Sequence, residues 1–312
     1  MSLDIAVSGI NIIKGNPKIA PELFTTELAA IDKGPYELNR IQKISAVAFI
    51  KALSDAGVVL NGASRERIAI FLGNTYSIEE FKADFLNSYK TTRTGLVNPS
   101  IFAFTNANSI ASWLGVQFGV RGTNLTFTNG CISGSQAIIA GCDSIISGKA
   151  DVAVVGGISL ICEDLEDEFY ECGFKYECVG FLILERKKKV IDAGRRAQII
   201  IEDFRQGFLS KTSIEELDSR KLPNELEDYR CNSDAKYVLM HLGNSLTENK
   251  FSYNNKMQEK DKTIGITYLN DQQGNAFSAA GVLGVSCVNK DNYVFLDVDS
   301  YGAYTALKIN AE

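Results

Sequence analysis

One histidine and one tryptophan occur among 312 residues, and no two of the seven cysteines stand in a CxxC pair. A zinc site needs several thiolate or imidazole ligands at short spacing, so no metal centre is expected. The cysteines (Cys131, Cys142, Cys162, Cys172, Cys178, Cys231 and Cys287) are odd in number and widely scattered, unlike a disulfide framework. No apolar run approaches the roughly 20 residues that span a bilayer. Positive charge is not in excess either, with 32 Lys+Arg against 38 Asp+Glu and a net charge of −6. Binding a phosphate backbone favours a basic face, so nucleic acid is not an expected partner. The opening MSLDIAVSGINIIKGNPK carries an acid early and reads as a strand and turn, not as a charged leader with an apolar core. A cytoplasmic protein without membrane contact is the expectation. No GxGxxG loop and no repeat of fixed period is visible.

With 45% hydrophobic and 22% charged residues, the chain has the composition of a globular protein with a sizeable core. Short β-branched runs alternate with longer helical stretches, the pattern of an α/β fold. Strands are expected at Asp4–Ile10, Ile68–Leu72, Asn124–Thr128, Val152–Val155, Val179–Leu184, Gln198–Glu202, Thr263–Tyr268 and Tyr293–Asp297. Helices are expected at Asn39–Ala56, Ile78–Tyr89, Asn106–Gln117, Ile132–Ser147, Lys236–Glu248 and Ala276–Val285. The run ADVAVVGG after Gly148 is apolar almost throughout, as in a strand buried on both faces. Gly130-Cys131-x-Ser133-Gly134 and Gly274-Asn275-x-x-Ser278-Ala279-Ala280-Gly281 each follow a strand and open a small-residue helix, which hints at a duplicated unit.

The most informative segment runs from Thr126 to Ile138, where a strand enters a Gly/Ser turn and Cys131 stands at the start of a helix. The helix dipole there favours thiolate over thiol, and the small residues Gly130, Ser133 and Gly134 let a ligand or a second backbone approach. A buried, inert cysteine is the competing reading.

The block Val120–Ala137, continuing through Ser147–Gly157, resembles the active-site region of β-ketoacyl-ACP synthases, condensing enzymes of the thiolase superfamily. Asn98-Pro-Ser-Ile-Phe102, Asn106-Ala-Asn108 and Leu114-Gly-Val-Gln-Phe-Gly-Val120 are similar to the segment before the cysteine in the elongating enzymes, and Glu177–Glu185 resembles their EGAG…LE strand. Elongating enzymes use two histidines, and this chain has only His241. His241-Leu-Gly-Asn244 and Gly274-Asn275…Ser278-Ala-Ala280 instead resemble the HxxN and GN…SAA motifs of the initiating, type III enzymes. The family's C-terminal GFGGTN is reduced here to Ser300-Tyr-Gly-Ala-Tyr-Thr305.

The resemblance implies a thiolase-like αβαβα layered fold of two similar halves, 1–160 carrying the cysteine and 161–312 carrying His241 and Asn275. It implies acyl transfer from phosphopantetheine of an acyl carrier protein, or from CoA, to Cys131. Decarboxylative Claisen condensation with a malonyl thioester would follow, in fatty-acid or polyketide-type biosynthesis. Cys131, His241 and Asn275 would be catalytic, and Gly130, Gly134 and Gly302 would shape the turns and oxyanion site. Phe102, Phe104, Phe277 and Tyr301 would line the substrate pocket. No cofactor beyond the carried thioester is implied. The implied partners are an acyl carrier protein and a second synthase subunit, in a homodimer or heterodimer paired through the strand near Asn124–Thr128. Two alternatives stay open: a catalytically silent partner resembling a chain-length factor, and a plain thioesterase or acyltransferase on the same fold.

Overall fold

The computed structural model describes residues 3–15, 18–29, 31, 38–91, 99–167, 174, 176–218, 223–232, 235–243, 265–269, 276–288 and 291–311. Its strands in chain order are β1 (Ile5–Lys14), β2 (Ile68–Asn74), β3 (Asn124–Phe127), β4 (Val152–Ser159), β5 (Cys178–Arg186), β6 (Ile199–Phe208), β7 (Tyr237–Leu242), β8 (Gly265–Tyr268), β9 (Asp291–Val298) and β10 (Ala303–Ala311). Among the described residues these form one hydrogen-bonded sheet in the order β3-β2-β4-β5-β1-β6-β10-β9-β7-β8.

That order is the same five-strand pattern written twice. β2 runs parallel to β3 and β4, and β5 lies antiparallel to β4 and β1. In the second unit β7 is parallel to β8 and β9, and β10 is antiparallel to β9 and β6. The units meet where Ile5–Val7 of β1 pair antiparallel with Ile199–Ile201 of β6. The expected division at residue 160 is therefore corrected. It would sever β5, which completes the first unit by pairing with both β4 and β1. The units separate between the short helix Lys187–Asp192 and β6. The acidic stretch after Leu160 is a connection within the first unit, tied down by the buried Glu177. Its carboxylate accepts the Ile19 and Ile161 N–H groups at 2.6 and 2.9 Å and pairs with Arg40.

Helices complete the layers. α1 (Arg40–Asp55) and α2 (Ser109–Phe118) cover one outer face, α3 (Ser133–Ile146) and α5 (Ala280–Ser286) fill the middle, and α4 (Asn224–Asn232) lies on the opposite outer face. α1 begins at Asn39, whose side chain caps the Ile41 N–H at 2.8 Å while Gln42 reaches back to the Asn39 N–H at 2.9 Å. The period of two in the strands sorts side chains between cores. In β2, Ala69 and Phe71 face the central helices, while Ile68, Ile70 and Leu72 meet α1 and α2. In β7 and β9, Leu239 and Phe295 face the centre, while Val238, Met240, Val294 and Leu296 face α4.

The expected helix Lys236–Glu248 is a second correction: Tyr237–Leu242 is a parallel strand, and 244–248 lie outside the described residues. The run YVLMHL is buried on both faces after its first residue, so it carries no periodicity to distinguish strand from helix.

The centre is held by close backbone contact between α3 and α5. A Cβ on Gly134 would lie 2.4 Å from the Ser278 carbonyl oxygen, and one on Gly281 would lie 2.4 Å from the Ser135 nitrogen. Both obstacles are backbone, so neither can swing aside. Gly281→Ala should cost at least about 1–3 kcal/mol of stability, the usual range for overpacking. Chemical denaturation of wild type and variant measures it; an unchanged midpoint contradicts the packing described here.

Candidate active site

β3 leads through Asn129 into Gly130, whose φ of +64° turns the chain into a 3-10 segment, Gly130–Ile132, that opens α3. A Cβ at Gly130 would meet nothing within 4 Å, so conformation and not space calls for glycine there. Cys131 is the middle residue of this turn, 6% exposed, at the positive end of the 14-residue helix. The second unit repeats the device. Phe277–Ala279 form a 3-10 turn opening α5, and Phe277 takes a φ of +44° where the first unit has Gly130. Ser278 is thus the counterpart of Cys131.

Thr75, just beyond β2, fastens both turns. Its N–H donates to Ser278 Oγ at 3.1 Å, and its hydroxyl donates to the Gly130 carbonyl at 3.1 Å, beside Ser133 Oγ. Ser133 Oγ donates to the same carbonyl at 2.7 Å. Asn129 Nδ2 donates to Gln136 Oε1 at 2.7 Å, clipping the turn to the helix.

Cys131 lines a cavity of about 760 Å³ together with Thr75, Tyr76, Leu165, Phe277 and the turn after β9. That volume lies within the range of ordinary small-molecule sites. Phe277 packs on Phe174 at 4.8 Å and on Tyr76 at 5.5 Å between ring centroids. The opposite wall is Asp299, Ser300, Tyr301 and Ala303. Asp299 accepts the Tyr301 and Ala303 N–H groups at 2.9 and 2.8 Å, and burial holds its carboxyl above the usual carboxylate range. Tyr301 and Phe208 stand 86% and 80% exposed, and so mark the mouth.

His241 is fully buried on β7 at the register position opposite Asp297 of β9. Each lies two positions after a residue of the central core, Leu239 or Phe295, so both face the layer that holds α3. His241 Nδ1 and Asp297 Oδ1 are 2.8 Å apart, and Ser135 of α3 hydrogen-bonds the other carboxylate oxygen.

Cys131, Gly130, Phe277 and Tyr301 come together around the cavity. Gly302 sits in the Asp299–Ala303 turn with a φ of +88°, and Gly134 serves the helix contact rather than the cavity wall. Phe102 and Phe104 are elsewhere: Phe102 is exposed beside Phe85, and Phe104 stacks on Phe81 in the outer core. Asn275 lies outside the described residues. Sequence reasoning missed Thr75, which carries no motif, and Ser135 and Asp297. An acid at an inward position of the apolar run YVFLDV was the available signal for Asp297. Among the described residues no group of three or more His, Cys, Asp or Glu is placed to hold a metal ion.

Residues 14–171, half of the chain, match the family model "Beta-ketoacyl synthase, N-terminal domain". The chain belongs to the β-ketoacyl synthase family. It is 25% identical over 288 residues to "Probable polyketide synthase 33" of Dictyostelium discoideum, covering 79% of this chain and 9% of that protein. A reducing polyketide synthase of Metacordyceps chlamydosporia is 29% identical over 193 residues, 61% of this chain and 7% of its own length. The chain thus spans less than a tenth of these relatives. Solved structures share its fold throughout. The ishigamide ketosynthase/chain length factor superposes with a TM-score of 0.72 at 15% identity, covering 99% of each chain. A type II ketosynthase solved with its acyl-carrier protein superposes at 0.70 with 18% identity, again over 99% of each. The thiolase-like layered fold of ketosynthases is therefore the fold of this synthase-family chain.

The cysteines differ in accessibility. Burial pushes the Cys178 thiol up to about 12 and raises those of Cys142 and Cys162 as well. Among these and Cys131, iodoacetamide should modify Cys131 first in the native protein. Peptide mapping after brief labelling at neutral pH measures this, and earlier labelling of Cys142 or Cys178 contradicts it.

Proposed function

We propose that the protein is a condensing acyltransferase in which Cys131 accepts an acyl group from a thioester carried on phosphopantetheine or CoA. A malonyl thioester then loses carbon dioxide, and the carbanion attacks the acyl-enzyme to form a carbon–carbon bond. A covalent intermediate divides a difficult step into two easier ones. The observation that carries this reading is the placement of Cys131 at the start of α3 on the wall of a 760 Å³ cavity. The Cys131 peptide N–H is our candidate for the oxyanion donor. We assign the proton and enolate steps to His241 and Asn275.

An acyl carrier protein and a second synthase subunit are the partners this reading requires. Solved relatives support both, since one is a ketosynthase bound to its acyl-carrier protein and two are ketosynthases with chain length factors. β3 is suited to pairing with a second subunit: it is an edge strand of the sheet, with Asn124 and Leu125 exposed. The lone histidine and the shortened C-terminal motif favour a second reading, a silent partner subunit that shapes the chain length of a competent synthase.

Intact-mass measurement after incubation with acyl-carrier thioester separates the two. The condensing reading expects an acyl-mass adduct on wild type, no adduct on Cys131→Ala, and carbon dioxide release when malonyl thioester is added. A wild-type chain that stays unmodified, both alone and with carrier protein, overturns it in favour of the partner reading.

A further inference from the structure

Opposite sides of the cavity beside Cys131 differ in character. Tyr76, Leu165 and Phe277 make one side largely apolar, and the turn after β9 brings the carboxylate of Asp299 to the other. That carboxylate is partly buried and spends one oxygen on its own turn: Oδ1 accepts the Tyr301 and Ala303 N–H groups at 2.9 and 2.8 Å. Among the described residues no side chain donates to Oδ2, and no lysine, arginine or histidine pairs with the group. Burial, together with the like charge of Asp297, raises the carboxyl above its usual range, as expected of an acid short of solvation and of a counter-charge. Other polar side chains of the same wall are already engaged. Thr75 Oγ1 donates to the Gly130 carbonyl, and Asn129 Nδ2 donates to Gln136 Oε1.

Oδ2 is therefore the oxygen left for a guest. It stays solvated only while the cavity is wet. When a chain fills the space, water leaves Oδ2, and a desolvated acceptor is costly unless the guest brings a donor. Methylene groups cannot do so. A hydroxyl or an ammonium can, and hydrogen bonds to an ionised carboxylate are among the stronger ones. We infer that Asp299 is a specificity-determining residue that selects an acyl group bearing a hydrogen-bond donor, a hydroxyl or an amino group, over a plain alkyl chain. The inference rests on the condensing reading, which supplies an acyl thioester as the guest, and deepens it by naming the class of acyl group. The carbon skeleton packs on Tyr76, Leu165 and Phe277 while its donor meets Oδ2. A site built around a polar partner rejects an analogue that lacks it far more strongly than an apolar pocket rejects an added group.

Binding is read with pantetheine analogues in which nitrogen replaces the thioester sulfur, so that no acyl group can pass to Cys131. Their chains are hexanoyl, plain or carrying a hydroxyl or an amino group at successive carbons, and calorimetry on the whole protein gives each dissociation constant. Wild type should bind at least one substituted chain about tenfold or more tighter than plain hexanoyl. The series that carries the preference identifies the donor. In Asp299→Asn the amide oxygen can still accept the Tyr301 and Ala303 N–H groups, so the turn is kept while an amide nitrogen replaces Oδ2. A preference for the amino series should then vanish, because donor faces donor. A preference for the hydroxyl series should shrink, because the hydroxyl can only accept there. Where the variant fails to fold, the wild-type comparison decides. Plain hexanoyl bound as tightly as every substituted chain, no binding by any analogue, or a preference that Asp299→Asn leaves intact overturns the inference. Selective binding by a wild-type chain that gains no acyl adduct from thioesters upholds it and rejects the condensing reading; an adduct formed without selectivity does the reverse.

Discussion

Two helix N-termini lie against each other at the middle of this molecule so closely that one backbone fills the space a methyl group would need on the other. Gly134 and Gly281 make that contact, each against the backbone of the opposite turn. The rest of the site follows from it. Because α3 and α5 touch there, the 3-10 turns that open them are neighbours, and Thr75 can hydrogen-bond both. The sheet halves close over the pair, which places the ends of β7 and β9 on the same central layer as the Cys131 turn.

The chemistry resides in the differences between the two copies. The first unit places a thiol at the middle of its turn and the second a hydroxyl, Ser278, which Thr75 engages. The first uses glycine for the left-handed residue and the second uses phenylalanine, accepting backbone strain of order 1–3 kcal/mol. That ring becomes part of the cavity wall, tilted against Phe174 and edge-to-face with Tyr76. A carboxylate on β9 then joins the imidazole of β7 to the helix that begins at Cys131, so one hydrogen-bonded path crosses from one unit to the other.

Much of this was legible in the sequence wherever a local rule applied. The turn at Gly130–Cys131 shows itself through glycine and small residues between a strand and a helix, and the matching Ser278–Gly281 segment exposes the duplication. Completely buried segments were harder. YVLMHL is buried on both faces after its first residue, so its pattern does not distinguish strand from helix, and His241 was expected on the wrong kind of element. No local pattern ties the acidic residues after Leu160 to the first unit, yet Glu177 and the pairing of β5 bind that connection into it. The aromatics Phe102 and Phe104 gave no sign that the first stays exposed and the second joins the outer core, because burial of a ring depends on partners far along the chain. Ser135 and Asp297 meet across 162 positions and no local pattern announces such a meeting.

A fold built by copying one unit would, left unaltered, enclose a hollow with two interchangeable ends. Gly130 opposite Phe277 removes that equivalence: one side offers a bare backbone and sulfur, the other a bulky ring. With exposed Phe208 and Tyr301 at the rim, the chamber has two chemically unlike walls below a single aromatic mouth. The asymmetry of the chamber thus arises from the place where the two copies stopped being alike.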